Sequence, residues 1–582
     1  MSATGIDPVR LTIVQKQLDN VAMQMGLIMT RTARSPMLNQ SHDFTCFIAS
    51  ASGDVLSQAD GIPIHSGGGG FALQAVIRDF GEDIGAGDAF ILNDPYAAGN
   101  NHLPDWTIVR PVFVADRLCG FVCNRAHQSD IGGGAAGTYN PLATEIFHEG
   151  IRLPVLKLVE AGSMRKDLHA LLLLNSRSPD LIEGDLSAML GSTRIGAERI
   201  ATLIADLGIE PALACFDALL AYGDRRMRAA IAALPDGTYT GSDGSDTDCF
   251  RRVDVPVNVS ITVAGDTLSF DFTGSSPQIA GFKNSSIANT HAAVYLSVAT
   301  FFEHDLPRNT GVFRPITIMA PAGTVVNAIS PAPSTMNTIY PAADIIAACW
   351  KALARASPER ACAGWAKTCH GVSTGYTAEG KFFVLYHWLG SAGAGAVKGR
   401  DGFNSIGMLG TLGGLTLPNV EGQELAYPVR VMRQEFRRDT AGAGEFRGGC
   451  GVEYECQLHV PTAHATRSES TTRETGFGVN GGGSGARGVI RVADTNAQWQ
   501  EPPQYGVERL GPACVMIQSS AGGGWGRPID RNPESVRADV LDEILSEEVA
   551  RRVYGVVLLE AGEVDRNETD RLRHAMRRDA SH

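Results

Sequence analysis

The 582-residue chain has no Cys-x-x-Cys pair, no Gly-x4-Gly-Lys-Ser/Thr segment and no apolar run near the roughly 20 residues that cross a bilayer. Its 11 cysteines are odd in number and scattered, Cys119 and Cys123 coming closest together. That excludes a thiolate metal knuckle and argues against a disulfide framework; buried, reduced thiols are expected. Basic patches are also missing, and the net charge of -13 disfavours nucleic acid or an anionic membrane as partner. The first residues, Met1 to Pro8, lack a basic stretch followed by an apolar one, so no signal peptide is expected and a cytoplasmic location is. Without a phosphate-binding loop, this chain is not expected to bind a nucleoside triphosphate in the common way. Aromatics are sparse at 7%.

Glycine, by contrast, is abundant at 66 residues, which predicts many tight turns and close backbone approaches. Hydrophobic residues at 44% against 19% charged ones provide for a sizeable core, and the length suits three or four domains of about 150 residues each. Asp7-Pro8 is a helix start, and Leu11, Val14, Leu18, Val21, Met25 and Ile28 recur at helical spacing to about Arg31. Strand-like runs follow at 44–49, 89–92 and 106–109, with glycine-rich turns expected at 67–70 and 132–134. From about Lys157 to Leu234 the pattern is helical. Alternation at Val257, Val259, Ile261 and Val263, a turn at 264–266, and Leu268, Phe270 and Phe272 predict a hairpin. A buried helix is expected over 342–356, short strands and glycine turns over 428–515, and helices in the charged tail, with Ser546 as one start. The expected fold is multi-domain α/β of mixed α+β type. Its parts are a metal-site domain at 1–156, a helical segment at 157–234, a mixed α/β region at 235–427, a β-rich region at 428–532 and a helical tail at 533–582.

Chemistry concentrates near the N-terminus. Five of the 14 histidines (His42, His65, His102, His127 and His148) fall in the first 150 residues. His102-Leu103-Pro104-Asp105 and His127-Gln128-Ser129-Asp130 repeat one His-x-x-Asp pattern, and Asp43, Glu145, His148 and Glu149 flank them. Imidazole nitrogens and carboxylate oxygens are the ligands that Zn, Mn or Fe(II) takes, and a catalytic ion needs about three of them plus an open position. Pro104 and Asn100-Asn101 place the first pair in a loop. Glu145-Ile146-Phe147-His148 has the Glu-x-x-His spacing of carboxylate metal sites, and His148 equally suits a general base. Asp43 suits a ligand or an orienting carboxylate. The bland alternative is that all of these are hydrogen-bonding loop residues.

Two motifs carry less. Gly371-Val372-Ser373-Thr374-Gly375 matches a nucleophile elbow, but a strand-like run rather than a helix follows it. Gly483-Ser484-Gly485-Ala486-Arg487-Gly488 matches a dinucleotide fingerprint, yet a strand follows where a helix is required.

The segments Asn93-Asp94-Pro95-Tyr96, Gly99 to Asp105, Asn124-Arg125-Ala126-His127, His148-Glu149-Gly150, Tyr427-Pro428-Val429-Arg430 and Gly522-Gly523-Gly524-Trp525-Gly526 together resemble the hydantoinase B/5-oxoprolinase family. The resemblance runs from about Asp7 to Leu558. It implies a B-type subunit of an ATP-dependent enzyme that works with a hydantoinase A-like ATPase subunit, on which ATP-Mg is expected. That partner activates a small-molecule substrate by phosphorylation, and a hetero-oligomer follows. The resemblance also implies a divalent metal (Zn, Mn or Fe) on His102, Asp105 and His127 and puts Asp43 and His148 near it; these two, with Glu145 from its Glu-x-x-His spacing, are the catalytic candidates. The implied activity is an ATP-dependent cyclic amidohydrolase for a hydantoin, lactam or oxoproline. The alternatives are a ketone carboxylase of acetone or acetophenone type, which adds a small third subunit, and a non-catalytic scaffold that only binds the ATPase. The segment 334–346 lacks a Glu-Thr-Ser-Gln-type run, and Arg467-Ser468-Glu469-Ser470 stands for the usual Ser-Asp-Arg, so substrate and reaction branch stay open.

Overall fold

Period-2 patterning in the N-terminal third builds one large antiparallel sheet. Its strands are β1 (Phe44–Ser50), β2 (Val55–Gln58), β3 (Ala89–Leu92), β4 (Asp105–Val114), β5 (Arg117–His127), β6 (Leu156–Glu160) and β7 (Ser163–Met164), in the spatial order β2-β1-β5-β4-β3-β6-β7. The computed structural model describes residues 6–59, 61–302, 305–494 and 498–579. The chain divides into two units, Met1–Ala352 with Gly410–Thr416 and Leu353–Leu409 with Leu417–His582.

In the first unit, one face of the sheet carries Phe47, Val109, Phe121 and Cys123, packed on Leu73 and Val76 of the helix Gly69–Phe80. The other face takes helix Pro179–Leu207, where Asn124 donates from β5 to the Met189 carbonyl at 2.9 Å. Helix Pro8–Thr32 starts as expected: the Asp7 carboxylate accepts from Val9 N–H at 3.0 Å, and Val14, Leu18, Val21, Met25 and Met29 are buried. Ser192 of helix Pro179–Leu207 donates to the Met25 carbonyl of this first helix at 3.0 Å.

Two local expectations are corrected here. The chain from Lys157 is not helical at first, because residues 156–164 form β6 and β7 and extend the sheet. Nor are the glycines at 67–70 a simple turn: Gly67 ends the helix Pro63–Gly67, and Gly69 and Gly70 begin the next one. The reason is close packing. A Cβ on Gly67 would lie 2.7 Å from the Ala292 backbone of helix Ile287–Phe301, and one on Gly68 would lie 2.5 Å from the Asn101 side-chain oxygen. The turn expected at 132–134 is present, with Gly132 and Gly133 at φ 83° and 79°.

A second sheet contains β8 (Gly237–Thr247), β9 (Arg252–Ala264), β10 (Thr267–Asp271) and β11 (Ile316–Met319), in the order β11-β10-β9-β8. Strands β9 and β10 form the expected hairpin, with Thr267 opposite Ala264. Helix Ala342–Ala356 is present as expected, and the unit boundary falls within it.

The second unit has two antiparallel sheets. One is β13-β12-β16-β18, from β12 (Cys369–Tyr376), β13 (Phe382–Tyr386), β16 (Thr462–Ser468) and β18 (Tyr505–Leu510). The other is β14-β15-β19-β17, from β14 (Val429–Phe436), β15 (Val452–Leu458), β17 (Val489–Asp494) and β19 (Ala513–Gln518). Phe383 and Leu385 share a core with Tyr454, Cys456, Val515 and Ile517, so strands on both sides of residue 428 join. Helices Pro533–Leu541, Glu547–Tyr554 and Arg566–Asp579 make the tail, and Ser546 caps the second by accepting from Val549 N–H. All 11 cysteines are free, and all but Cys514 are buried.

Many of the glycines of this unit lie in extended segments rather than turns. The N–H groups of Gly522, Gly523 and Gly524 donate to three different neighbours, Gly449, Gly364 and Gly483. A pleated strand alternates between two sides; a three-residue repeat of polyproline II type points to three. Neighbouring backbones come so near that a Cβ on Gly522 would lie 1.8 Å from the Ala394 carbonyl oxygen.

Within the same unit, Ser373 of the discounted elbow motif lies on β12, and a strand follows it. Its hydroxyl is fully buried and bonded to His387 Nε2 at 2.8 Å and His464 Nδ1 at 2.9 Å. Burial lowers the pKa of His464 to about 4 and puts those of His370 and His387 well below the usual value. These groups are neutral when folded but titrate near 6.5 when unfolded, so their stabilisation is complete above about pH 6.5 and is lost as pH falls. Urea denaturation of the full chain, followed by tryptophan fluorescence between pH 7 and 4.5, should lose stability at up to about 1.4 kcal/mol per pH unit per histidine. His464→Gln should flatten that slope by about one proton.

Candidate metal centre

The sheet order sets the site. Strand β5 lies between β1 and β4 and runs antiparallel to both, so the end of β5 meets the beginnings of its two neighbours. Asp105 opens β4 and His127 closes β5, and the two are directly paired. Asp43 immediately precedes β1, and its carbonyl accepts from His127 N–H at 3.0 Å. Gln128 N–H donates to the Pro104 carbonyl at 2.9 Å, closing the other side.

Side-chain alternation does the rest. Residues two apart on a strand share a face, so the face that carries Phe121 and Cys123 continues into Arg125 and His127. Arg125 and Thr107 are cross-strand partners, joined Nε to Oγ1 at 2.8 Å. The loop before β4 is held by buried amides: Asn100 Nδ2 donates to the carbonyls of His102 and Asp105, and Asn93 Nδ2 to that of Leu103. The helix Pro63–Gly67 brings in His65, whose carbonyl takes an Arg125 N–H at 2.7 Å.

His102, Asp105 and His127 offer ligand atoms that all lie within 4.8 Å of one another, and all three are buried. His102 Nε2 is 3.0 Å from Asp105 Oδ1, and His127 Nδ1 is 3.1 Å from the same oxygen. His65 Nε2 is 3.2 Å from Asp105 Oδ2 and 3.8 Å from Asp43 Oδ1. His102 Nε2 nevertheless lacks hydrogen-bond alignment with its neighbour, and Asp105 Oδ2 and His65 Nδ1 are likewise buried without a hydrogen-bond partner. Buried polar atoms are almost always satisfied. A carboxylate and two imidazoles with donor atoms left over fit a divalent ion, with the second nitrogen of each imidazole held in place. His102 Nδ1 faces the Thr335 carbonyl, and His127 Nε2 lies 3.2 Å from the Thr138 hydroxyl.

The electrostatics agree. Burial alone would raise the Asp105 carboxyl, but the facing His102 and His65 and the hydrogen bond with His127 hold it well below the usual range. For His102, burial is outweighed by Asp105, the Thr335 carbonyl and Asp43, so its pKa is raised. His65 is lowered to about 3, chiefly by burial, with Arg125 adding to the effect and Asp105 opposing it. Two residues in sparsely populated backbone conformations border the site, His42 at φ 57° and Thr138 at φ 66°.

The other candidates separate. Asp43 is in the site. Asp130, the second half of the repeated motif, is not: its carboxylate takes the Arg177 backbone N–H at 2.6 Å and guanidinium at 2.9 Å. His42 sits partly exposed beside Thr416. Glu145 and His148 are exposed; His148 Nδ1 faces the Thr144 N–H, and the structure does not bring either residue into the buried group. Their neighbour Glu149, one of the flanking candidate ligands, is buried but lies outside the His102-Asp105-His127 group. Thr138, Tyr139 and Thr335 were not legible at all. Tyr139 stacks on His127 with ring centroids 5.7 Å apart and an interplanar angle of 15°.

Fold and site define a mixed α/β protein with a buried His-Asp-His group, and the chain belongs to the Hydantoinase B/oxoprolinase family, whose profile it matches over residues 7–528. It is 32% identical over 583 residues to the caprolactamase subunit beta of Pseudomonas jessenii, covering 96% of this chain and 98% of that one. The crystal structure of the ATP-dependent caprolactamase from the same organism superposes with a TM-score of 0.91 at 30% identity, over 98% of this chain and all of that one. The nucleotide-free acetone carboxylase structure shares the fold, with a TM-score of 0.88 at 20% identity over 99% of this chain and 83% of that one. No helix among the described residues is long and apolar enough to cross a membrane.

If the parent protein is loaded with a divalent metal and passed through gel filtration, it should keep about one ion, and Asp105→Ala and His127→Ala should each lose it. Elemental analysis of the folded variants checks this, and full metal retention in both would remove the assignment.

Proposed function

We propose that this chain is the B-type catalytic subunit of a two-component ATP-dependent enzyme. It hydrolyses a cyclic amide of hydantoin, lactam or oxoproline type after a hydantoinase A-like ATPase subunit has activated it by phosphorylation. The observation that carries this reading is the buried group His102, Asp105 and His127 with its unsatisfied donor atoms, in a chain that matches a caprolactamase subunit along nearly its whole length.

A divalent ion held by these three residues supplies Lewis acidity, polarising a carbonyl and lowering the pKa of water. In the hydrolysis, a water oxygen adds to the carbon of the phosphorylated carbonyl, the ring C–N bond breaks with a proton passing to the departing nitrogen, and a second water releases the phosphoryl group as inorganic phosphate, leaving the carboxylate. Asp43 and His65, with Oδ1 and Nε2 3.8 Å apart beside Asp105, are placed to hold or move that proton. His148 and Glu145 are exposed and lie outside the buried group. The burial of the site keeps bulk water from the activated amide.

The second reading, a ketone carboxylase subunit acting with bicarbonate, has the likeness of fold to acetone carboxylase in its favour. It differs in needing a small third subunit. Co-expression with the ATPase partner separates the two: ATP-dependent opening of lactams or hydantoins supports the amidase, and bicarbonate-dependent consumption of ketones supports the carboxylase. Under either, His102→Ala should abolish turnover while the partner still co-purifies. Retained turnover in that variant would dismiss the metal mechanism.

A further inference from the structure

Glu149 is 1% exposed, yet no ion pair holds it among the described residues. Its carboxylate accepts instead from backbone amides: Ser334 N–H at 2.9 Å to each oxygen, and Thr335 N–H at 2.8 Å to Oε1. The same Thr335 peptide segment turns its carbonyl onto His102 Nδ1 at 2.5 Å. A carbonyl can only accept, so Nδ1 must carry the proton, which leaves the Nε2 lone pair facing Asp105. Burial raises the Glu149 carboxyl to about 7 against the pull of these amides and of His102.

The loop that carries Glu149 also serves the second imidazole. Thr138 reaches His127 Nε2, and the Tyr139 ring lies against both His127 and His102. One loop thus orients both histidines from the side opposite Asp105.

We propose that Glu149 is a positioning residue for the metal centre: by gripping the Ser334 and Thr335 amides it sets the Thr335 carbonyl that fixes the tautomer and orientation of His102. This rests on the metal-site reading above. It predicts that Glu149 governs metal affinity without touching the ion, at the 10- to 100-fold scale usual for residues that orient a ligand.

The test is competition of Mn(II), Zn(II) and Co(II) against a chelator in the full chain, with the visible absorption of the Co(II) form recorded alongside. Glu149→Gln keeps the shape but leaves a single acceptor oxygen and turns an NH2 toward the Ser334 N–H; it should weaken metal binding by about 10- to 100-fold and shift the Co(II) bands. Melting of the metal-free protein, measured in parallel, tells a positioning role from a structural one. A lower melting temperature with unchanged affinity and unchanged Co(II) spectrum in the folded fraction would overturn the proposal. If Glu149→Gln does not fold, Glu149→Asp, which retains the charge and withdraws the carboxylate by one methylene, decides by the same readouts. Failure of the parent protein to bind any of the three metals would refute the metal reading itself, and this proposal with it.

Discussion

The direct pairing of Asp105 with His127 is the constraint on which the site depends. It exists because β5 lies between β1 and β4 and runs against both, bringing the end of one strand beside the beginnings of two. A one-residue slip in that register would turn His127 and Arg125 to the opposite face, against helix Pro179–Leu207. The apolar part of the same face, Phe121 and Cys123 under helix Gly69–Phe80, locks the register, since a slip would also expose those side chains. Core packing and site geometry are therefore one requirement.

Charge burial is the second theme. Asp43, Asp105 and Arg125 lie with three imidazoles in a region where all are buried. An isolated buried charge costs far more than a hydrogen bond returns, so such a group persists only when it is paired or ligates a cation. Arg125 compensates in part through Thr107, Asn101 and the His65 carbonyl. The remaining donor atoms on His102 and Asp105 are what a cation would satisfy. Segments from distant parts of the chain complete the enclosure: Asn337 donates to the Asn101 carbonyl at 2.7 Å, and Ser286 to those of Asn100 and Asn101.

The second unit follows a different logic. Its glycine segments associate through backbone hydrogen bonds in three directions, where side chains would prevent contact. His387 and His464 sit in a core with Ser373 and Tyr454, where burial keeps them neutral. The apparent nucleophile motif at Ser373 is a buried hydrogen-bonding strand residue, consistent with the strand that follows it.

By itself the sequence determined the periodic and capped elements: the helix from Asp7-Pro8, the hairpin at 257–272, the helix at 342–356, and the strand-like runs at 44–49, 89–92 and 106–109. It also determined the donor types, because imidazole and carboxylate chemistry is a property of the residues. Spacing could not tell Asp105 from Asp130, since both stand three residues after a histidine; Arg177, 47 residues further along, claims Asp130. Nor could it tell exposed His148 from buried Glu149, adjacent residues on one turn. The contact of Thr335 with His102 spans 233 residues, and no local pattern encodes it. The glycine count announced close approaches but not their three-way geometry. Only the tertiary structure decided these points, because local periodicity specifies which face a residue occupies, whereas the partner on that face depends on which distant segment packs there.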